Sequence, residues 1–110
     1  MDLAIDVLAR GDDTVLRLAG DIDLHSAPEI SEQLARLQAD GSTAIVVDLS
    51  EVSFLDSSAL GALVAAHRSL TDAGGSLKLA APREHVLKVF RITRLAEVIP
   101  LFDSVDDACG

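Results

Sequence analysis

Residues 44–49, Ala-Ile-Val-Val-Asp-Leu, form an apolar run with no alternation. A strand with one wet face alternates apolar and polar side chains, so a run like this belongs to a strand covered on both faces, at the centre of a sheet. The flanking segments supply the cover. Ile30, Leu34 and Leu37 make one helical stripe ahead of the run, and Leu60, Leu63, Val64, His67 and Leu70 make another behind it. Gly41 and Gly74-Gly75 stop these two helices. With three Phe and no Trp or Tyr in a chain that is 49% hydrophobic, the core they enclose is aliphatic.

The remaining elements follow from period and punctuation. Leu3, Ile5 and Val7 alternate as in a half-buried strand, and Gly11-Asp12-Asp13 makes a turn. Residues 14–20 form a second strand with Leu16 and Leu18 on one face, and the short turn makes the pair an antiparallel hairpin. A polar loop, Asp21-Ile22-Asp23-Leu24-His25, leads to the helix start Ser26-Ala27-Pro28-Glu29. There Ser26 is expected to cap the amide three residues on, and Glu29 to reach back to the amide of Ser26. After the central run, a loop from Ser50 to Asp56 is expected to carry Val52, Phe54 and Leu55 inward. Leu77, Leu79 and Ala81 alternate as another strand, and Pro82 opens a third helix carrying Val86, Val89 and Phe90. The tail holds an apolar piece ended by Pro100 and a last short helix capped by Asp103. Strands alternating with helices after a hairpin predict one α/β layered domain over residues 1–110, with a mostly parallel central sheet of four to five strands and about four helices.

Charge and composition narrow the function classes. Met1-Asp2-Leu3-Ala4-Ile5-Asp6 is acidic where a secretory signal is basic, and no apolar run approaches membrane length. Cys109 is the single cysteine, so no internal disulfide forms and a reducing, cytoplasmic setting is expected. The net charge of −9 sits in the first half: residues 1–56 carry 12 acids against 3 bases, and residues 57–110 carry 6 of each. Nucleic acid is repelled by such a half; the charge either steers a basic protein partner or, as the simpler reading, only keeps the domain soluble. The cluster Arg83, Lys88, Arg91 and Arg94 reads as the solvated face of the third helix.

In open α/β sheets, function collects where strand ends meet helix amino termini. Here that place is Ser53-Phe54-Leu55-Asp56-Ser57-Ser58-Ala59-Leu60-Gly61, following the central strand, with Asp56 or Ser57 as the natural cap of the helix behind it. Capping alone accounts for an Asp-Ser-Ser sequence. The wider string does more. Val47-Asp48-Leu49-Ser50-Glu51-Val52-Ser53-Phe54-Leu55-Asp56-Ser57-Ser58-Ala59-Leu60-Gly61 resembles the signature of the STAS domain family, in its anti-sigma factor antagonist branch. Gly20-Asp21-Ile22-Asp23 and Gly74-Gly75-Ser76-Leu77-Lys78-Leu79 resemble two further segments of that family, so the likeness spans nearly the whole chain.

The resemblance implies a STAS fold and a partner switch. It implies an anti-sigma factor that is also a serine kinase, which phosphorylates the serine directly after the aspartate. That serine is Ser57 here, and a separate serine phosphatase resets it. It implies partner contacts at Asp21, Asp23, Asp56, Ser57, Ser58 and Ala59, and no cofactor. The family's common form has glycine where this chain has Ala59, which leaves kinase approach at that point in question. The alternative inside the family is a subunit regulating a membrane transporter or a stress-sensing complex.

Other chemistries lack their residues. A serine hydrolase built on Ser57 or Ser58 with His25, His67 or His85 has no G-x-S-x-G elbow, and no histidine is spaced for the partnership. His67 reads as a packed, hydrogen-bonded residue on its helix stripe, and His25 as a loop residue. No metal site is expected, since Asp12-Asp13, Asp106-Asp107 and Cys109 lack ligand spacing. The two Asp pairs read as turn and capping residues.

Overall fold

The computed structural model describes residues 3–109. Strands β1 (Ala4–Arg10) and β2 (Asp13–Ile22) form the antiparallel hairpin, closed by Gly11-Asp12 with Gly11 at φ 61°. A glycine with positive φ at the first turn position suits the twist of a two-residue hairpin. Helix α1 (Ala27–Ala39) then crosses to β3 (Ala44–Leu55), and α2 (Ser57–Asp72) crosses to β4 (Ser76–Ala80). Helix α3 (Glu84–Ile92) and a 3-10 turn (Leu95–Glu97) lead to β5 (Leu101–Phe102), and α4 (Val105–Cys109) ends the order. The sheet runs β1-β2-β3-β4-β5, parallel from β2 onward.

That strand order dictates the layering. Each crossover steps to the next strand in the same direction, and right-handed crossovers then put α1, α2 and α3 on one face. Their stripes (Ile30 and Leu34; Leu60, Leu63 and Leu70; Val86 and Phe90) meet Leu16, Leu18, Ile22, Val47, Leu49, Val52, Leu55, Leu77 and Leu79 in one aliphatic cluster. The opposite face of β2, β3 and β4 is covered by α4, where Ala108 packs on Val15, Val46 and Ala80. Arg10 Nη2 meets Asp106 Oδ1 at 2.6 Å, and Lys78 Nζ donates to the Ala108 carbonyl at 3.1 Å. Both faces of residues 45–47 are thereby dry, as their unbroken apolar run requires.

Four expectations change. First, the segment from Ser50 to Leu55 is strand, not loop, and β2 continues through Asp21 and Ile22 to pair with it. Two bulges disguise it. Leu18 faces both Leu49 and Ser50, and Ser53 is an extra residue between the pairs Gly20↔Val52 and Asp21↔Phe54. Each bulge adds one residue, so the core positions run 47, 49, 52, 55, a spacing that does not alternate. Val52 and Leu55 are buried, but Phe54 points outward and is 52% exposed. Second, Val7 is exposed on the edge strand β1, where Leu3 and Ile5 alone of the expected face pack against the core. Third, Ala81 lies beyond β4 in the left-handed region at φ 57°, so α3 starts at Glu84 rather than at Pro82. Fourth, Ser104 caps the last helix in place of Asp103, its Oγ accepting from the Asp107 amide at 3.0 Å.

Candidate functional site

Strand β3 delivers the chain to Asp56, whose N–H donates to the Ile22 carbonyl at 3.1 Å and so ties the turn to the end of β2. Asp56 is extended (φ −109°, ψ −173°), which aims its side chain back over the first turn of α2. One carboxylate oxygen, Oδ1, accepts from the amides of Ser58 (2.9 Å) and Ala59 (3.2 Å). Asp56, not Ser57, is therefore the cap. Ser57 is the first helical residue and is exposed, so its hydroxyl is left for other chemistry, while Ser58 is half-buried.

The neighbouring strand end carries a second carboxylate. Asp23 Oδ1 accepts from the His25 amide (2.9 Å), the Ser26 amide (3.1 Å) and the Ser26 hydroxyl (3.2 Å). The amide of Ser26, which stabilises the charged form, holds the Asp23 carboxyl below its ordinary value. The expected capping box at Ser26 and Glu29 does not form. Ser26 already has helical dihedrals, its hydroxyl accepts from the Asp23 amide at 2.8 Å, and its own amide is taken by Asp23. The cap of α1 has moved three residues upstream. Asp21, half-buried in β2, pairs in register with Phe54, and its carbonyl accepts from the Ser26 hydroxyl at 3.3 Å.

The parallel β2 and β3 therefore end side by side with Asp21, Asp23, Asp56 and Ser57 at one end of the sheet. Two large apolar side chains stand in water at this end, Leu24 (67% exposed) and Phe54 (52%). The result is an acidic surface with an apolar component and an exposed serine; His85 bonds to the Ser53 carbonyl and His25 is exposed in the loop after Asp23.

The model of the STAS domain matches residues 4–108. The chain belongs to the STAS domain family. It is 35% identical over 101 residues to the anti-sigma-B factor antagonist of Bacillus subtilis, covering 92% of both chains. Among solved structures, this STAS domain is similar to an anti-sigma factor antagonist from Mycobacterium paratuberculosis (TM-score 0.90, 28% identity, 98% of this chain and 92% of that one). It is also similar to the phosphorylated form of the Bacillus cell fate determinant SpoIIAA (TM-score 0.74, 25% identity, 96% of each chain).

Within the STAS domain the sequence-derived site residues do not all share one kind of place. Asp21, Asp23, Asp56, Ser57 and Ser58 gather at the β2 and β3 ends. Ala59 departs from that set: it is 1% exposed on the core face of α2, so its side chain offers a partner no contact surface. His67 is half-buried with its Nδ1 shut off from solvent and without a hydrogen-bond partner among the described residues, contrary to the bonded role expected of it.

Three features were missed. Asp48, inside the apolar run, is a buried carboxylate (4% exposed), held by Arg17 Nε at 3.3 Å and by the Ser50 amide at 3.0 Å. Arg83 is not simply solvated, since its Nε donates to the Ser50 carbonyl at 3.0 Å and its Nη2 lies 3.7 Å from Glu51; Lys88, Arg91 and Arg94 are exposed. Leu24 reads only as part of a polar loop and Phe54 as core, so neither signals the exposed apolar pair that they form. Among the described residues no helix is long and apolar enough to cross a membrane, and no cluster of His, Cys, Asp and Glu is placed to hold a metal ion.

Proposed function

We propose that this STAS domain is an anti-sigma factor antagonist, binding an anti-sigma factor through the β2 and β3 end and switched by phosphorylation of Ser57. The observation that carries the reading is the exposed Ser57 hydroxyl beside a carboxylate that has taken over helix capping. The similarity to the Bacillus subtilis antagonist over 92% of both chains supports the same partner class, and favours it over a transporter subunit. In this reading the unmodified chain occupies the anti-sigma factor and frees a sigma factor. The anti-sigma factor, acting as a serine kinase, transfers the γ-phosphoryl of ATP to Ser57 Oγ, and a serine phosphatase reverses the modification. Such a cycle runs in the cytoplasm, where sigma factors act.

The electrostatics suit a switch that leaves the fold alone. A phosphate brings about −1.5 to −2 charges and three acceptor oxygens. The amides of Ser58 and Ala59, which an anion at a helix start would otherwise claim, are already bonded to Asp56. The phosphate therefore gains little inside the domain and stays outward, where it meets the partner. A basic-rimmed partner surface with an apolar centre matches the acids and the pair Leu24 and Phe54.

Intact-mass measurement after incubation with the anti-sigma kinase and ATP tests the reading. One phosphate is expected on the wild-type chain, none on Ser57→Ala, and one on Ser58→Ala. Loss only in Ser58→Ala assigns the other serine, and an unmodified wild-type chain removes the phosphorylation switch.

A further inference from the structure

The second half of β3, from Ser50 to Leu55, is bordered by β2 on one side only, because the β3–β4 register ends at Asp48↔Ala80. This half contains both bulges, and it is the segment that sets where Asp56 and Ser57 stand. Bulges leave backbone groups out of the ladder, and each such group needs another partner or water. Side chains supply them here. The Ser50 amide goes to Asp48 Oδ1 (3.0 Å) and the Ser50 carbonyl to Arg83 Nε (3.0 Å). The Ser53 carbonyl accepts from the His85 ring through Nε2. Both bulge residues are thus gripped from the start of α3, which lies 32 and 33 residues further along the chain.

We infer that Arg83 and His85 are positioning residues for Ser57: they fix the two bulges of β3, and through them the angle at which the Asp56-Ser57 turn leaves the sheet. The inference rests on the proposed phosphorylation of Ser57. Both side chains are exposed and bond to the backbone of residues 50 and 53, so their effect on Ser57 passes through the backbone of residues 50–56. Group transfer needs the hydroxyl within a narrow range of the attacking geometry, and a misplacement of about 1 Å can cost up to roughly 10²-fold in rate. Pairing with β2 and the Asp56 bond to the Ile22 carbonyl hold one side of this segment, and the two grips hold the backbone groups that the bulges leave out of that ladder.

The test compares His85→Ala, His85→Gln, Arg83→Ala and the exposed control Lys88→Ala in the full chain, with two readouts. Amide hydrogen exchange at Asp56, Ser58 and Ala59 reports the turn without any kinase. Phosphorylation kinetics with the serine kinase that modifies the wild-type chain report its consequence. His85→Ala and Arg83→Ala are expected to speed exchange and to lower kcat by about tenfold with KM little changed. His85→Gln, which restores an N–H donor at the Nε2 position, is expected to recover both, and Lys88→Ala to change neither. Slower phosphorylation with a raised KM and unchanged exchange means that His85 touches the kinase itself, which overturns the inference. So does wild-type kcat in His85→Ala and Arg83→Ala. A wild-type chain that takes no phosphate defeats the phosphorylation reading instead. In that case the exchange comparison still decides whether the two side chains hold the turn.

Discussion

The carboxylate of Asp56 accepts the amide of Ser58 at 2.9 Å, and with the same oxygen the amide of Ala59 at 3.2 Å. One side chain thereby closes the first turn of α2 on behalf of the serine between them. Losing a cap of this kind costs about 1 kcal/mol. Asp56→Ala is therefore expected to lower Tm by roughly 4–8 °C in a domain of about this size, and Asp56→Asn by much less, since the amide oxygen still accepts. Thermal denaturation followed by circular dichroism decides it, and equal losses in the two variants contradict the capping role.

Leu24 and Phe54 are solvated at the end of the sheet that carries Ser57, so truncating them removes contact area for a partner and little of the core. Leu24→Ser and Phe54→Ala are each expected to weaken binding of the anti-sigma factor by about 1–2 kcal/mol, roughly tenfold in Kd, while Tm stays near wild type. Isothermal calorimetry measures the first and a melting curve the second. Wild-type affinity in both variants places the contact elsewhere.

Ala59 is buried against the core and its methyl does not reach the surface, so its difference from the family's glycine is a matter of stability rather than of approach. Ala59→Gly removes a buried methyl and adds backbone freedom inside a helix, for a cost of about 1–2 kcal/mol. The rate of Ser57 phosphorylation is expected to hold at the wild-type value. A faster rate in the glycine variant shows that Ala59 does hinder the kinase.

Asp23 has its carboxyl held below the ordinary 3.8 chiefly by the Ser26 amide. A depressed folded value means that the charged cap favours the folded state above the unfolded pKa, and that this support fades as pH falls through the folded one. Acid below the ordinary carboxylate range should therefore loosen the start of α1. An NMR titration is expected to give Asp23 a value under 3.8, and Asp23→Asn to show a flatter loss of Tm in acid. A titration at or above 3.8 contradicts the bonding described.

Much of this fold was legible because local period and punctuation agree with the tertiary solution: the hairpin, the three amphipathic stripes and the buried run are all set within a few residues. The bulged half of β3 was not. Each extra residue lengthens the core spacing from two to three, and the pattern Leu49, Val52, Leu55 then reads as a loop and turns Phe54 the wrong way. The two caps were misread in a related fashion, because Asp23 and Ser26, or Asp103 and Ser104, are equally good capping types and only the dihedrals choose between them. Within the candidate site, Asp56 and Ser57 stood out in the string itself. Arg83 and His85 left no local trace, since what they bond is backbone far away along the chain.

Two glycines make opposite demands on the same substitution. A Cβ built on Gly75 falls 2.2 Å from the Thr43 carbonyl oxygen, the atom that accepts the Ser76 amide at 2.7 Å where β4 begins beside β3. Backbone, unlike a flexible side chain, cannot swing clear of a methyl, so Gly75→Ala has to push the two strand starts apart. Overpacking of this sort costs about 1–3 kcal/mol. Gly61, in the second turn of α2, has ordinary helical dihedrals and open space around the same Cβ. Alanine there adds only helix propensity, and Gly61→Ala is expected to stabilise by up to about 1 kcal/mol. Urea unfolding at constant m-value should show midpoints moving in opposite directions. A destabilised Gly61→Ala shows that α2 needs a bare backbone one turn beyond Ser57, and an unchanged Gly75→Ala shows that β3 and β4 start further apart than described.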